Sequence, residues 1–265
     1  MYTLAAMPSS KFSIETAIAG LNCGRDASVR ILLPNGWLLM FVLDGHGRHA
    51  SHFVHHAKRR LAELFAAAKG GDDVQATLVR VLGSVRDGMP EAVHGDSGAT
   101  VVAAVIEEAA QRVTIATVGR GSGFRAYDLH GRLAIKGDDD RHSMCNPEER
   151  ARVRSVCGAD KCAWFAATLR PGRLGSLATT RSIGDTNMRV MGLSHEPTIC
   201  AFELHEVGLL LLFTDGAAKA PMDAIVSRAF DAGRVEGVAH QVASSGHSIS
   251  RREATVMAAS TPLWR

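Results

Sequence analysis

Residues 36–47 read GWLLMFVLDGHG, and this stretch decides the fold class. The run from Trp37 to Leu43 is continuously apolar and starts after a turn residue, which is the pattern of a buried β-strand. Asp44 and Gly45 follow at once, so a carboxylate ends a core strand where a glycine permits close approach of the backbone. Oxygen ligands in such a place suit a hard divalent cation. Asp-Gly is also an ordinary turn dipeptide, so both interpretations stay open here.

The elements predicted around this strand come in blocks. A helical period predicts helices over residues 50–67, 74–85, 222–230 and 235–243, and β-rich runs predict strands over 98–106, 111–118, 207–213 and 254–259. The order is strand, two helices, several strands, two helices and a strand, which is typical of an α+β layered fold. Without a low-complexity linker or a repeat, we predict one domain over residues 1–265.

Composition excludes several classes of partner. A formal net charge of +3 is too small to indicate a nucleic-acid or membrane partner, and no apolar run approaches a membrane span. The first residues lack the basic and apolar segments of a secretory signal. Five irregularly spaced cysteines predict reduced thiols and no zinc site. We therefore expect an intracellular protein, cytoplasmic or nuclear.

Several motifs occur in a fixed order along the chain. The second apolar strand also ends in an Asp-Gly pair, at Asp215. The complete series is LDGHG at 43–47, DSGAT at 96–100, NPEERARV at 146–153, LATTRSIGD at 177–185, EP at 196–197 and FTDG at 213–216. Any one of these motifs is a weak signal, whereas six in order are a strong one. On these residues the chain resembles the metal-dependent Ser/Thr protein phosphatases of type 2C (the PPM family), over about residues 12–260.

The resemblance implies a fold and a set of site residues. The fold would be a sandwich of two antiparallel β-sheets flanked by helical hairpins, in α-β-β-α layers. In active relatives, carboxylates hold two metal ions that bridge the attacking water. The positions that match are Asp44 with the carbonyl of Gly45, Asp215 as a second metal ligand, Asp26 and Asp185 as weaker candidates, and His46 beside the leaving group.

Four positions depart from the family pattern. Leu21 stands where the family has its phosphate-binding Arg, and Arg25, Arg120 and Arg252 stand where it has acidic residues. A shift of one residue in the alignment would place Glu253 at the last of these positions. Since an Arg keeps its proton, each exchange moves the local charge by two units. The sequence therefore predicts that no metal is bound tightly; the alternative is that the Arg side chains turn into solvent and one weak metal remains on Asp44 and Asp215.

Two functions follow from these substitutions. The first is a pseudophosphatase that acts as a protein-binding, regulatory or scaffold subunit and needs no cofactor. The alternative is a weak Mn- or Mg-dependent phosphatase acting on phosphoserine and phosphothreonine. The three Arg residues either cradle an anion or are neutralised internally by Asp26, Asp44, Asp185 and Asp215, and the count of charges favours neutralisation. The His-rich residues 46–56 and the acidic run 138–140 are interpreted as a solvated helix face and an exposed turn.

Overall fold

Two five-stranded antiparallel sheets form the centre of the molecule. A computed structural model describes residues 13–19, 24–69, 72–137, 141–158, 173–250 and 252–260. One sheet has the order β2-β3-β4-β5-β8 and the other the order β1-β10-β9-β6-β7. The strands are β1 Ser13–Ala19, β2 Asp26–Leu32, β3 Trp37–Gly47, β4 Ser97–Glu107, β5 Arg112–Val118, β6 Gly123–Tyr127, β7 Leu133–Lys136, β8 Thr198–Glu203, β9 Leu209–Phe213 and β10 Ala254–Ser260.

Helices cover the outer face of each sheet. The described helices are α1 Ala50–Ala66, α2 Val74–Ser84, α3 Glu91–His94, α4 Pro147–Cys157, α5 Met222–Asp231 and α6 Val238–Ser250. The hairpin of α1 and α2 packs on the sheet that contains β3. The hairpin of α5 and α6 packs on the sheet that contains β10. The α-β-β-α layering of the type 2C fold is thus confirmed.

Strand β3 shows why residues 37–43 form a continuous apolar run. Successive side chains of a strand point to opposite faces of its sheet. Met40 and Val42 lie in the core between the two sheets, whereas Phe41 and Leu43 lie under the helical hairpin. Because helices cover one face and the second sheet covers the other, both faces must be apolar. Each fully buried side chain of this kind contributes about 1.5–3 kcal/mol to folding.

The predicted elements are all present, with ends that differ by up to seven residues, since the last helix ends at Ser250 and was predicted to end at residue 243. Strand β3 continues to Gly47, so Asp44 belongs to the strand and does not follow it. The last helix begins at Val238, three residues later than predicted. The sequence patterns missed β1, β2, β6, β7 and β8, which are short or only partly buried strands without the strong apolar runs of β3, β4 and β9.

Two further predictions concern membrane-spanning helices and the state of the cysteines. No helix in the described ranges is both long enough and apolar enough to span a membrane. The prediction of reduced thiols is wrong for Cys157, which is disulfide-bonded, whereas Cys145 and Cys200 are free. A disulfide requires two Cα atoms about 4.4–6.8 Å apart, and irregular spacing along a sequence does not reveal such proximity.

Candidate functional site

A cleft of about 910 Å³ opens at one end of the sandwich, where strands from both sheets end. Asp26 and Asp44 are cross-strand partners in β2 and β3. Asp215 follows β9 in the other sheet, and Arg252 precedes β10. The cleft brings together all the described residues that the sequence analysis selected: Arg25, Asp26, Asp44, Gly45, His46, Arg120, Asp185, Asp215, Arg252 and Glu253.

Gly45 is required by the closeness of its neighbours. Its N–H donates a hydrogen bond of 2.8 Å to the carbonyl of Arg25, which joins the two strands beside the aspartates. A Cβ atom at this position would stand 2.4 Å from Val54 Cγ2 and 2.8 Å from the same carbonyl oxygen. Such distances exclude any side chain unless the backbone moves. Packing alone therefore accounts for the glycine of the Asp-Gly pair.

Two carboxyl groups in the cleft, that of the buried Asp26 and that of the half-buried Asp44, have raised pKa values. Burial raises the pKa of Asp26 to about 7, although Thr214 donates a hydrogen bond of 2.7 Å to Asp26 Oδ2. Burial also raises the pKa of Asp44, as do the neighbouring charges of Asp215 and Asp26 and a hydrogen bond with Asp215. The charge of His46 opposes that rise without cancelling it. Carboxyl groups crowded in this way share protons, because adjacent like charges disfavour ionisation.

Arg252 supplies the cation that balances the third carboxylate. Its Nη1 atom forms a direct ion pair with Asp215 Oδ2. Glu253 lines the same cleft and its charge acts on Asp26. The structure therefore places Arg252, and not Glu253, against Asp215. Arg25 is exposed at the rim and Arg120 is half-buried in the cleft wall.

His46 and Asp185 form a second polar pair at the cleft. His46 Nε2 lies 2.6 Å from Asp185 Oδ2. Burial lowers the pKa of His46, but the bond and charge of Asp185 outweigh it, so that the pKa is raised overall. Asp185 itself has a φ of 50° in the left-handed region, which is uncommon for a residue other than glycine. Its amide donates a hydrogen bond of 2.9 Å to the Ser97 carbonyl, which helps to hold this conformation.

A buried ionic network anchors the segment that forms one wall of the cleft. Glu149 in α4 accepts hydrogen bonds from Arg152, from Arg181 and, at 2.7 Å, from Thr180. Burial opposes ionisation of Glu149, but these bonds lower its pKa to about 2. Glu149 and Arg181 lie in two of the sequence motifs, but the motifs do not indicate that the two side chains bind each other. Charged residues 32 positions apart give no sequence signal of contact unless the fold is known.

The Glu149 network leads to a prediction about stability. Glu149→Gln should lower the free energy of unfolding at pH 7 by about 2 kcal/mol, because two guanidinium groups lose their buried counter-charge. The folded-state pKa is depressed, so the stabilisation is present above the ordinary pKa of about 4.5 and fades as the pH falls towards 2. Urea unfolding of wild type and variant at pH 7 and at pH 3 measures the difference in the free energy of unfolding at each pH. Equal stability of variant and wild type at pH 7 would contradict the assignment; Glu148→Gln, at an exposed neighbour, is the control.

Guanidinium groups stand in the cleft beside the carboxylates that the resemblance implies as metal ligands. Asp215 is already paired with the guanidinium of Arg252. The Arg252 side chain is mostly exposed, so solvent screens the pair, and the guanidinium offsets only part of what the Asp215 carboxylate offers a cation. Among the described residues, no group of three or more His, Cys, Asp or Glu side chains is arranged to hold a metal ion.

The other residues that the sequence singled out do not line the cleft or lie outside the described residues. Leu21 and the acidic run 138–140 fall outside the described ranges. His52 and His55 are exposed on α1, as the interpretation of a solvated face predicts, while His49 and His56 are half-buried.

His142 is buried, 3.1 Å from the Gly119 amide and 2.8 Å from Thr198 Oγ1, and burial chiefly lowers its pKa to about 4. It therefore connects the loop that carries Arg120 to β8.

Comparison with known proteins agrees with this architecture. The sequence profile of the family described as protein phosphatase 2C matches residues 33–217. No curated protein sequence matches the chain significantly. Among solved structures, the chain is similar to the Ser/Thr phosphatase Stp1 from Staphylococcus aureus, with a TM-score of 0.69 and 16% identity over 98% of this chain and 99% of that one.

Two further structures are similar at comparable distance. A C. elegans sex determining protein gives a TM-score of 0.68 and 18% identity, covering 96% of this chain and 66% of that one, so this chain spans about two thirds of its length. The PPM Ser-Thr phosphatase MsPP from Mycobacterium smegmatis, solved with cacodylate, gives a TM-score of 0.62 and 19% identity over 94% and 98% of the two chains.

The sandwich and the cleft at its end define a type 2C phosphatase domain. With the profile matching more than half of the chain, the protein belongs to the protein phosphatase 2C (PPM) family.

Proposed function

We propose that this protein is a pseudophosphatase, a phosphatase fold that serves as a protein-binding, regulatory or scaffold subunit and does not hydrolyse phosphoesters. The ion pair between Arg252 and Asp215 is the observation that supports this proposal most strongly. It joins Asp215, which the resemblance assigns as a metal ligand, to a cation supplied by Arg252 of the same chain. An intramolecular guanidinium cannot lower the pKa of a bound water as a divalent ion does.

The electrostatics of the other cleft residues support the same proposal. Arg25 and Arg120 add positive charge to the same cleft. His46 and Asp185 are retained, but a general acid without an activated water has no attacking nucleophile to serve. On this proposal the old active site supports the fold, and partners bind elsewhere.

Hydrolysis assays test the proposal directly. Release of phosphate from an aryl phosphate and from a phosphothreonine peptide, with millimolar MnCl₂ or MgCl₂, should equal the blank that contains no protein. Stp1 assayed in parallel is the positive control. Manganese-dependent release above the blank that disappears in Asp44→Asn would establish the alternative, a weak Mn- or Mg-dependent phosphatase.

The cleft arginines allow a second prediction, on phosphate recognition. Since Arg252 is paired with Asp215 and Arg120 also has an interaction within the chain, we expect a phosphopeptide library to show no binding that depends on Arg120 or Arg252. The measurement compares wild type with Arg120→Ala and Arg252→Ala by fluorescence anisotropy. Binding that falls at least tenfold in either variant would instead assign the cleft as a metal-free phosphate reader, because guanidinium forks pair well with phosphate oxygens.

A further inference from the structure

The exposed face of α1 carries a stripe of basic side chains that the proposed function does not use. Arg48, His52, His55 and Arg59 are all exposed and are separated by four, three and four residues. This spacing places His52, His55 and Arg59 along one face of α1, over about 10 Å at about 1.5 Å per residue, and Arg48 comes just before the N-cap residue His49. Lys58 is exposed beside them. The opposite face of α1 is buried against the sheet through Phe53, Val54, Ala57, Leu61 and Phe65.

The stripe has almost no local counter-charge. The sequence contains no Asp or Glu from residue 45 to residue 62. The first carboxylate, Glu63, is shared by Arg59 at 3.0 Å and Arg60 at 3.4 Å. Within the described part of the chain, no ion pair joins Arg48 or Lys58 to a carboxylate. The field of these two charges is therefore directed at whatever approaches the helix from solvent.

The stripe is continuous with the mouth of the cleft. Gly47, next to Arg48, lines the cleft, and so does Arg25. A Cβ atom placed on Gly24 would stand 3.7 Å from Ser51 Oγ, so the loop that carries Arg25 lies against the first turn of α1. Positive charge thus extends from the rim of the cleft along the exposed face of the helix. An extended segment could follow this path over about five residues, at about 3.4 Å per residue.

We propose that the basic stripe on α1 is a docking surface for an acidic, Asp- and Glu-rich segment of a partner protein. Charge complementarity selects the partner, because the exposed cations Arg48 and Lys58, which no ion pair joins to a carboxylate in the described part of the chain, attract and orient anions. The stripe is narrow and lies on a single helix, which suits an extended peptide of similar length. Binding at this surface does not depend on whether the cleft holds a metal. The docking proposal is therefore tested separately from the pseudophosphatase proposal.

The test measures binding of a fluorescein-labelled peptide of about eight alternating Asp and Glu residues, long enough to exceed the stripe at about 3.4 Å per residue. Anisotropy titrations at low salt compare wild type with Arg48→Glu/Lys58→Glu. The matched control is Arg228→Glu/Arg234→Glu, which makes the same change in net charge at exposed positions of the opposite helical layer. Thermal unfolding verifies that both double variants remain folded.

We expect saturable binding that weakens at least about tenfold in Arg48→Glu/Lys58→Glu, changes less than about twofold in the control, and weakens with added salt because exposed charges are screened. Absence of binding by wild type at low salt, or equal weakening in both double variants, would overturn the proposal. Tighter binding of a DNA duplex with the same dependence on Arg48 and Lys58 would also overturn it, because the surface would then serve a nucleic acid.

Discussion

Asp26→Asn is expected to raise the free energy of unfolding at pH 8 by about 3 kcal/mol and to change it little at pH 4. Burial raises the pKa of Asp26 from 3.8 to about 7, so the folded protein favours the neutral group. The stability associated with protonated Asp26 is complete below the unfolded pKa and is lost as the pH rises through about 7. A pKa that differs by one between the folded and unfolded states corresponds to about 1.4 kcal/mol. The rise at Asp26 therefore limits the gain in the free energy of unfolding to about 4 kcal/mol.

An Asn side chain removes this loss because it remains neutral, and its carbonyl oxygen can still accept the hydrogen bond from Thr214. Urea unfolding of wild type and variant at pH 4, 6 and 8 gives the difference directly. Asp231→Asn, at an exposed position at the end of α5, is the control and should show no trend with pH. A variant that is less stable than wild type at pH 8 would mean that Asp26 works as an ionised group and that its charge is needed.

Restoring negative charge in the cleft should create metal affinity. Arg25→Glu combined with Arg252→Asp is expected to raise the affinity for Mn²⁺ at least about a hundredfold, or about 2.7 kcal/mol. Removing Arg252 frees Asp215, and each exchange changes the local charge by two units. Isothermal titration calorimetry measures the gain. Activity is expected to stay low, since Leu21 supplies no phosphate contact and metal geometry is demanding.

The control for this experiment is a double variant of equal charge change outside the cleft, Arg228→Glu with Arg234→Asp. Its affinity for Mn²⁺ should match that of wild type. A similar gain in both double variants would show that general electrostatics attracts the ion, and no gain in Arg25→Glu/Arg252→Asp would show that other residues exclude the metal.

Much of the fold could be predicted because the strongest strands have both faces buried. Met40 and Phe41 lie on opposite faces of β3 and are both completely buried, so the apolar run is unbroken. Edge strands gave weaker signals: β7 has mostly exposed side chains, and β8 is only partly buried. Their position depends on pairing with distant strands, which a local sequence pattern does not encode.

The residues of the cleft could be selected from motif order, but their interactions could not. The sequence indicated that Arg252 replaces an acidic residue, yet only the pairing of β9 with β10 brings its side chain to Asp215. The count of four carboxylates against three arginines, made from the sequence, assumed that every Asp is ionised. The raised pKa values of Asp26 and Asp44 depend on burial and on crowding across two sheets, which are properties of the fold.

A crystal structure of the protein grown with millimolar MnCl₂, with manganese located by anomalous diffraction, tests the central claim most directly. We predict that the Arg252 guanidinium remains on Asp215 and that no manganese lies between Asp44 and Asp215. Two ordered manganese ions with the carboxylate of Asp44 between them, and Arg252 turned into solvent, would contradict it.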